Sequence, residues 1–590
     1  MSEFCEDARS VGHSQRLAPR QSLGAHIPRP KVLLAVAAVL LLLYALLWGY
    51  RFVINQLGPF APLALVVLAA GLLAILGPWL VVHERRQIQH GIARGAEWLW
   101  THAGLHRLFD TMRQRYPRLT RFLVGRLTYG TGTGLALTIG VVIAGVVAWF
   151  FTELLIQVAS GSPITGADHR IINLVATLRT PGLDRAMLLV TFLGNGQTII
   201  VVAVVALLVT LFARRYQYTV LIILSIVGSS LFFYLIKVLA GRPRPMLEEA
   251  RIVQGGFSFP SGHATVSATL YGTLAYLLIH GVRNELVKVL IGLASALLVL
   301  AVGLSRVYLG VHYPSDVLAG WIAGLFWLVL VATTEHVWQQ PPRTSVSRPR
   351  AVLAVLGTVL SVAGGVFYLA RVYQTIPLPP PPNVTPVAPT VIAADAVPSI
   401  VTQLPNHTET LLGAHQEPIS LILVGTQDTL ERAFRAAGWT EAEKLTLASV
   451  KKVILVSLHH QSDPAGPVTP SFVAEEPNTL AFNQPVGTTF EQRHHIRIWR
   501  TQVQTTDGQQ LWLATASFDK GFELGSATFL PTHQIAPDID NERDYVVASL
   551  QKAAGVQRTV ELQFVPPELG HNLAGDPFFT YGKAVIVWFR

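Results

Sequence analysis

The chain has a single cysteine, Cys5, in 590 residues. No intramolecular disulfide can form, nothing covalent staples any segment, and the count argues against a thiolate metal site. Charge is equally scarce. Asp, Glu, Lys and Arg make up 14% of the residues against 51% hydrophobic ones, and mean hydropathy is +0.44. That composition excludes an ordinary soluble protein and indicates a membrane protein. Acidic residues number 35 against 45 basic ones, a net charge of +10. The basic excess flanks apolar runs instead of alternating with aromatic residues along a groove, so it reads as a topology signal and no nucleic-acid partner is expected.

Apolar runs long enough to span a bilayer lie near residues 32–50, 59–82, 133–157, 186–213, 218–239, 264–282, 288–309, 317–334 and 351–370, about nine spans. Every second connection is basic, among them the stretch from Arg85 to Arg126, the pair Arg214 and Arg215, and Arg343 with Arg348 and Arg350. The positive-inside rule then puts the N-terminus in the cytoplasm. Residues 1–31 read as a cytoplasmic tail without a cleavage site, 32–82 as a transmembrane hairpin, and 83–132 as a basic amphipathic segment lying on the leaflet. The polar outer connection at 158–185, with Asp168, His169, Arg170, Arg179, Pro181 and Asp184, could cover the site, each residue reading as a surface or interfacial one and not as a ligand.

Three polar clusters interrupt the apolar runs between Lys237 and Asp316: KVLAGRPRP, FPSGH and SRVYLGVHYPSD. An ionisable side chain at bilayer depth costs roughly 2.5–3.5 kcal/mol, so a concentration of them marks a site. Lys237, Arg244 and Arg306 are cations suited to a tetrahedral anion, with Ser261 and the Gly262 backbone as further donors at a helix start. His312 and Asp316, four residues apart, share a helix face if the turn is helical. The carboxylate would then accept from Nδ1 and leave Nε2 to attack, while His263 delivers a proton to the leaving oxygen. The unaided reading is phosphate-ester chemistry at a membrane surface. Because the basic loops alternate, all three clusters fall on the outer face.

These residues resemble the membrane-embedded phosphatidic acid phosphatases of type 2, whose signature is K-x6-RP, PSGH and SR-x5-H-x3-D. The three parts stand at Lys237–Pro245, Pro260–His263 and Ser305–Asp316. The resemblance covers about 133–335 and implies a six-helix catalytic core. It also implies a double displacement without a metal or other cofactor. His312 would form a phosphohistidine oriented by Asp316, His263 would act as general acid and then activate water, and Lys237, Arg244 and Arg306 would hold the phosphoryl oxygens. The expected substrate is a membrane lipid phosphate or diphosphate, of the undecaprenyl diphosphate, phosphatidylglycerol phosphate or phosphatidic acid class. The expected setting is a bacterial inner membrane. Rival readings are a lipid-to-lipid phosphotransferase using the same site and a non-catalytic lipid-phosphate binder or transporter.

After the last apolar run, a Pro-rich spacer at 371–400 leads to a soluble domain of ordinary composition at 401–590. ISLILVG reads as a buried strand, followed by a helix with Thr426 as N-cap and Gly438 as its stop. Further strand-like runs, including KVILVSL, HIRIWRTQV and LWLATASF, give an α+β or α/β class. The segment resembles the C-terminal domain named after LssY. Its His494, His495, His533, Asp538 and Asp540, with Arg497, Asp519 and Arg543, form a candidate second set that could converge on a metal or an anionic head group.

Overall fold

The computed structural model describes residues 134–245, 254–338, 388–444, 465–487, 492–524, 531–553, 555–572 and 575–590, with isolated positions between them. The expected tail at 1–31, the hairpin at 32–82, nearly all of the basic segment at 83–132, the span at 351–370, most of the linker and the KVILVSL run lie outside the described residues.

The first part is helical. Its elements are α1 (Leu135–Ala159), α2 (Pro163–Thr177), α3 (Pro181–Phe192), α4 (Gly196–Phe212), α5 (Tyr216–Ala240), α6 (Gly262–Gly281), α7 (Glu285–Tyr308) and α8 (Pro314–Val337). Among the described residues four helices, α1, α5, α7 and α8, are long and apolar enough to cross a membrane, or five if α3 and α4, bent by 44° at their junction, count as one span. Exposed leucines on α5 (Leu231, Leu235, Leu239) and α7 (Leu286, Leu290, Leu293, Leu297) give these helices surfaces suited to lipid.

α6 is the less apolar helix because it is enclosed by α5, α7 and α8. Its buried hydroxyls bond back along their own helix: Thr265 Oγ1 to Ser261 O at 2.9 Å, Ser267 Oγ to His263 O at 2.6 Å and Thr269 Oγ1 to Thr265 O at 2.8 Å. Small residues let α8 approach it. A Cβ on Gly320 would fall 2.7 Å from Ala264 Cβ, and one on Gly324 would fall 2.4 Å from Ala268 Cβ. That contact brings the start of α8 to the start of α6, where Ser261 N donates to Asp316 O at 2.9 Å.

The polar connection at 158–185 folds into α2 and the start of α3, each with proline at its first position, after Ser162 and Thr180. α2 buries Asp168 and Arg170 instead of exposing them.

The second part is a β-rich domain. Its strands are β1 (Thr390–Ile392), β2 (His407–Glu409), β3 (His415–Pro418), β4 (Leu421–Val424), β5 (Thr440–Glu441), β6 (Phe472–Val473), β7 (Glu476–Pro477) and β8 (Leu480–Pro485). They continue with β9 (Arg493–Thr505), β10 (Gln510–Leu524), β11 (Pro531–Ile535), β12 (Val556–Gln563), β13 (Glu568–His571), β14 (Pro577–Thr580) and β15 (Lys583–Phe589). The main sheet runs β12-β15-β4-β10-β9-β8-β5, with β1 on β9 and β11 on β10. Three helices accompany it: α9 (Val397–Val401), α10 (Gln427–Ala436) and α11 (Ile539–Lys552).

Alternation along the strands splits the core between two clusters. Leu421, Leu423, Ile496, Ile498 and Trp512 pack with Leu430 and Phe434 of α10 and Val546 and Leu550 of α11. Ile422, Val424, Trp499, Leu511 and Leu513 pack with Val397 and Val401 of α9. α10 begins and ends as its sequence indicates: Thr426 Oγ1 accepts from Thr429 N at 3.3 Å, and Gly438 takes φ +83° just beyond its end.

Candidate active site

α5 ends at Ala240 because Gly241 turns left-handed (φ +58°) and the prolines of GRPRP cannot continue the ladder. The last turn aims Lys237 at the loop before α6, where Nζ donates to Phe257 O at 2.7 Å. Arg244 lies across the same loop. Its Nε donates to Gly256 O at 3.0 Å, and its Nη1 to Val311 O at 2.7 Å. Arg306, in the last turn of α7 and 2% exposed, donates to Thr191 Oγ1 at 2.6 Å and to the Gln254 side-chain carbonyl. Among the described residues none of these three cations meets a carboxylate. Neutral oxygens hold each of them, so their charge stays available to an anion.

His312 precedes α8 and is buried. The turn at this point is not helical, since α8 begins only at Pro314 and Gly310 has φ +74°. Asp316 instead folds back over the helix start. Its Oδ2 accepts from Tyr313 N at 2.9 Å and stands 3.4 Å from His312 Nδ1. On the other side of the ring, Arg244 Nη1 donates to His312 Nε2 at 3.1 Å. Arginine cannot accept, so Nε2 carries the lone pair and Nδ1 the proton, which is the tautomer needed for attack through Nε2. His312 lies between the helices, and burial, with the facing Arg306 and Arg244, holds its imidazole well below the usual range.

Ser261 caps α6 with extended backbone, and among the described residues neither its buried Oγ nor Arg306 Nε has a hydrogen-bond partner. Two buried donors are therefore left over. His263 follows Gly262 and lies within electrostatic reach of Arg306, His312, Arg244 and Lys237. Beside it the α3–α4 break packs closely. A Cβ on Gly194 would lie 3.3 Å from His263 Cδ2 and 2.4 Å from Val302 Cγ1, and Tyr271 Oη donates to Leu193 O at 2.6 Å.

The eight sequence-selected residues, Lys237, Arg244, Ser261, Gly262, His263, Arg306, His312 and Asp316, thus gather at one end of the bundle. A second layer was not anticipated. Arg242 bridges Asp316 Oδ1 and Asp168 Oδ2, both at 2.8 Å, and lies over the Tyr313 ring at 4.1 Å. Asp168 also accepts from Ser315 N at 2.9 Å and from the Ser315 hydroxyl. The signal was present in GRPRP, whose first arginine is as unusual at that depth as its second.

The candidate set in the β-rich domain has separate partners. His494 Nδ1 meets Glu542 at 2.9 Å and its ring stacks on Tyr545, while His495 Nδ1 lies 3.1 Å from Asp519. Asp538 caps α11, and Asp540 accepts from Arg543, Thr580 and Tyr581 N. His533 is placed by its backbone alone, opposite Phe522 on β10. Among the described residues no three His, Cys, Asp or Glu side chains stand together as a metal site.

Two family models match the chain. Residues 218–340 match the PAP2 superfamily, and residues 401–584 match the LssY C-terminus family. Phosphatidylglycerophosphatase B of Bacillus subtilis is 31% identical over 189 residues, which are 31% of this chain and 90% of that protein. An undecaprenyl-diphosphatase of Sulfolobus acidocaldarius is 41% identical over 68 residues, 12% of this chain and 29% of that one. The crystal structure of a transmembrane PAP2 type phosphatidylglycerolphosphate phosphatase from Bacillus subtilis is 26% identical, covers 34% of this chain and 98% of its own, and superposes with a TM-score of 0.32. With its three signature clusters gathered around one histidine, and a relative matched over nearly its whole length, this chain belongs to the PAP2 superfamily and carries an LssY-type domain behind its helical bundle.

Proposed function

We propose that the chain is a lipid phosphatase of the bacterial inner membrane, hydrolysing a lipid phosphate or diphosphate at the outer face. The observation that carries this reading is the charge arrangement. Three cations held by neutral oxygens surround an imidazole whose Nε2 bears the lone pair, beside two buried donors left without partners among the described residues. A phosphoryl group supplies what each of them lacks.

In the proposed reaction Lys237, Arg244 and Arg306 take the non-bridging oxygens, joined by Ser261 Oγ and the Gly262 N–H. Arg244 transfers its bond from Nε2 to a phosphoryl oxygen. The freed lone pair then attacks phosphorus in line with the ester oxygen, forming the N–P bond as the P–O bond breaks. His263 gives its proton to the departing oxygen. Asp316 accepts from Nδ1–H and stabilises the positive ring. Water, deprotonated by His263, then cleaves the N–P bond, releases phosphate and restores both histidines. No metal takes part.

The relatives named for phosphatidylglycerol phosphate and undecaprenyl diphosphate define the substrate classes to try first. The basic loops support a cytoplasmic N-terminus and an outward-facing site, and the apolar runs support about nine spans, six of them in the core that the family resemblance implies. The test uses vesicles containing phosphatidic acid, phosphatidylglycerol phosphate or undecaprenyl diphosphate, with chelator, and measures phosphate release. Expected is release by the full chain and none by a folded His312→Ala variant. Retained hydrolysis in that variant, or dependence on a divalent metal, overturns the mechanism, and label appearing on a second lipid converts it to transfer.

A further inference from the structure

The LssY-type domain touches the helical bundle on α2. Arg170, only 7% exposed, donates through Nε to Glu409 Oε2 at 2.9 Å and through Nη2 to the same oxygen. One turn on, Asn173 Nδ2 donates to Glu475 O at 3.2 Å and to Glu476 Oε1 at 3.0 Å. Glu475 stands with Ala474 at the tip of the β6–β7 hairpin, both at positive φ (70° and 48°). Leu412, from the turn between β2 and β3, packs into the bundle cluster that contains Phe259 and Leu318. The contact is therefore specific, joining charged and amide hydrogen bonds on α2 to an apolar contact with the bundle cluster.

Asp168 lies two residues before Arg170, about 200° around the helix, and so points the other way. It is fully buried and meets Arg242 and Ser315, and Arg242 in turn meets Asp316. One helix thus presents the soluble domain's anchor on one side and, on the other, a carboxylate that shares a guanidinium with the partner of His312. Arg242 divides its charge between two carboxylates. Withdraw Asp168 and the whole charge falls on Asp316, which becomes a poorer acceptor for the Nδ1–H of His312.

We infer that the LssY-type domain is a positioning element for the phosphatase: by clamping α2 through Arg170 and Asn173, it holds Asp168 against Arg242 and so sets Asp316 behind His312. This rests on the phosphatase reading above. Asp168 and Arg242 are positioning residues, since both act through Asp316.

The test uses the full chain in lipid vesicles and a double-mutant cycle. Glu409→Arg should lower kcat by about tenfold with KM changed less than about twofold, because the lesion is in orientation and not in binding. The charge-reversed pair Arg170→Glu with Glu409→Arg should restore most of the loss. Asn173→Ala, an independent contact, should move kcat in the same direction. In an Asp168→Asn background Glu409→Arg should have little further effect, because the route is already cut. An unchanged kcat in folded Glu409→Arg, or effects that simply add with Asp168→Asn, would overturn the inference.

A readout independent of activity separates this from failure of the phosphatase reading. In Glu409→Arg, amide exchange at residues 313–317 should speed up, whereas unchanged protection there overturns the coupling whatever the enzyme hydrolyses.

Discussion

Arg244 Nη1 and His312 Nε2 stand 3.1 Å apart, with the arginine donating to the nitrogen proposed as nucleophile. The same contact fixes the tautomer and keeps the lone pair occupied. A phosphoryl group that draws Arg244 to its own oxygens would uncover the nitrogen, so binding and activation become one movement of a guanidinium. Lysine offers neither the planar fork nor the second donor to Val311 O. Arg244→Lys should therefore lower kcat/KM by about a hundredfold although the charge is retained, measured as phosphate release across substrate concentration.

Asp316 accepts from Tyr313 N and Arg242 while facing His312 Nδ1. Asp316→Asn removes the charge that, in the proposed reaction, stabilises the phosphorylated ring, and offers an N–H where an acceptor is needed. A kcat loss of about two to four orders of magnitude is expected. Single-turnover kinetics should place the loss in formation of the phosphoenzyme.

Among the described residues the buried Ser261 hydroxyl has no partner. Ser261→Ala breaks no hydrogen bond among them, and thermal stability should hold within about 0.5 kcal/mol. If that hydroxyl is a phosphate donor, kcat should still fall by about ten- to a hundredfold. A variant with unchanged kinetics would remove Ser261 from the site.

In the soluble domain, burial holds the His495 imidazole below its usual range. The folded state then binds fewer protons than the unfolded chain, whose imidazole titrates near pH 6.5. Stability contributed by this residue is present above about pH 6.5 and falls by up to about 1.4 kcal/mol per unit below it. Amide exchange of β9 should accelerate as pH drops from 7.5 to 5.5, after correction for the intrinsic rate, and His495→Asn should flatten the trend.

The polar clusters of the candidate site were legible because ionisable side chains among apolar spans are costly and hence informative. Lys237, His263, Arg306 and Asp316 stand out against such a background. Asp168 did not, since an aspartate in a polar connection costs nothing to explain, and only the fold shows it buried under Ser315. The helical nature of α2 was readable in principle from Ser162-Pro163, a start signal passed over because the segment lacks a long apolar stripe. Gly194, Asn195 and Gly196 mark the break in the fourth run, but the neighbour that break approaches, His263, comes from a distant segment. In the β-rich domain, β4 and α10 were readable from a continuous apolar run and its caps, whereas sheet order depends on contacts far apart in the chain.

The three cations braced by carbonyl, hydroxyl and amide oxygens have a consequence for turnover. In the proposed reaction their grip takes the phosphoryl end and is indifferent to what hangs from it, so the inorganic phosphate left behind would fit as well as the lipid head that delivered it. Its departure would then compete with chemistry as the slow event, and phosphate on the side that the site faces would brake the rate.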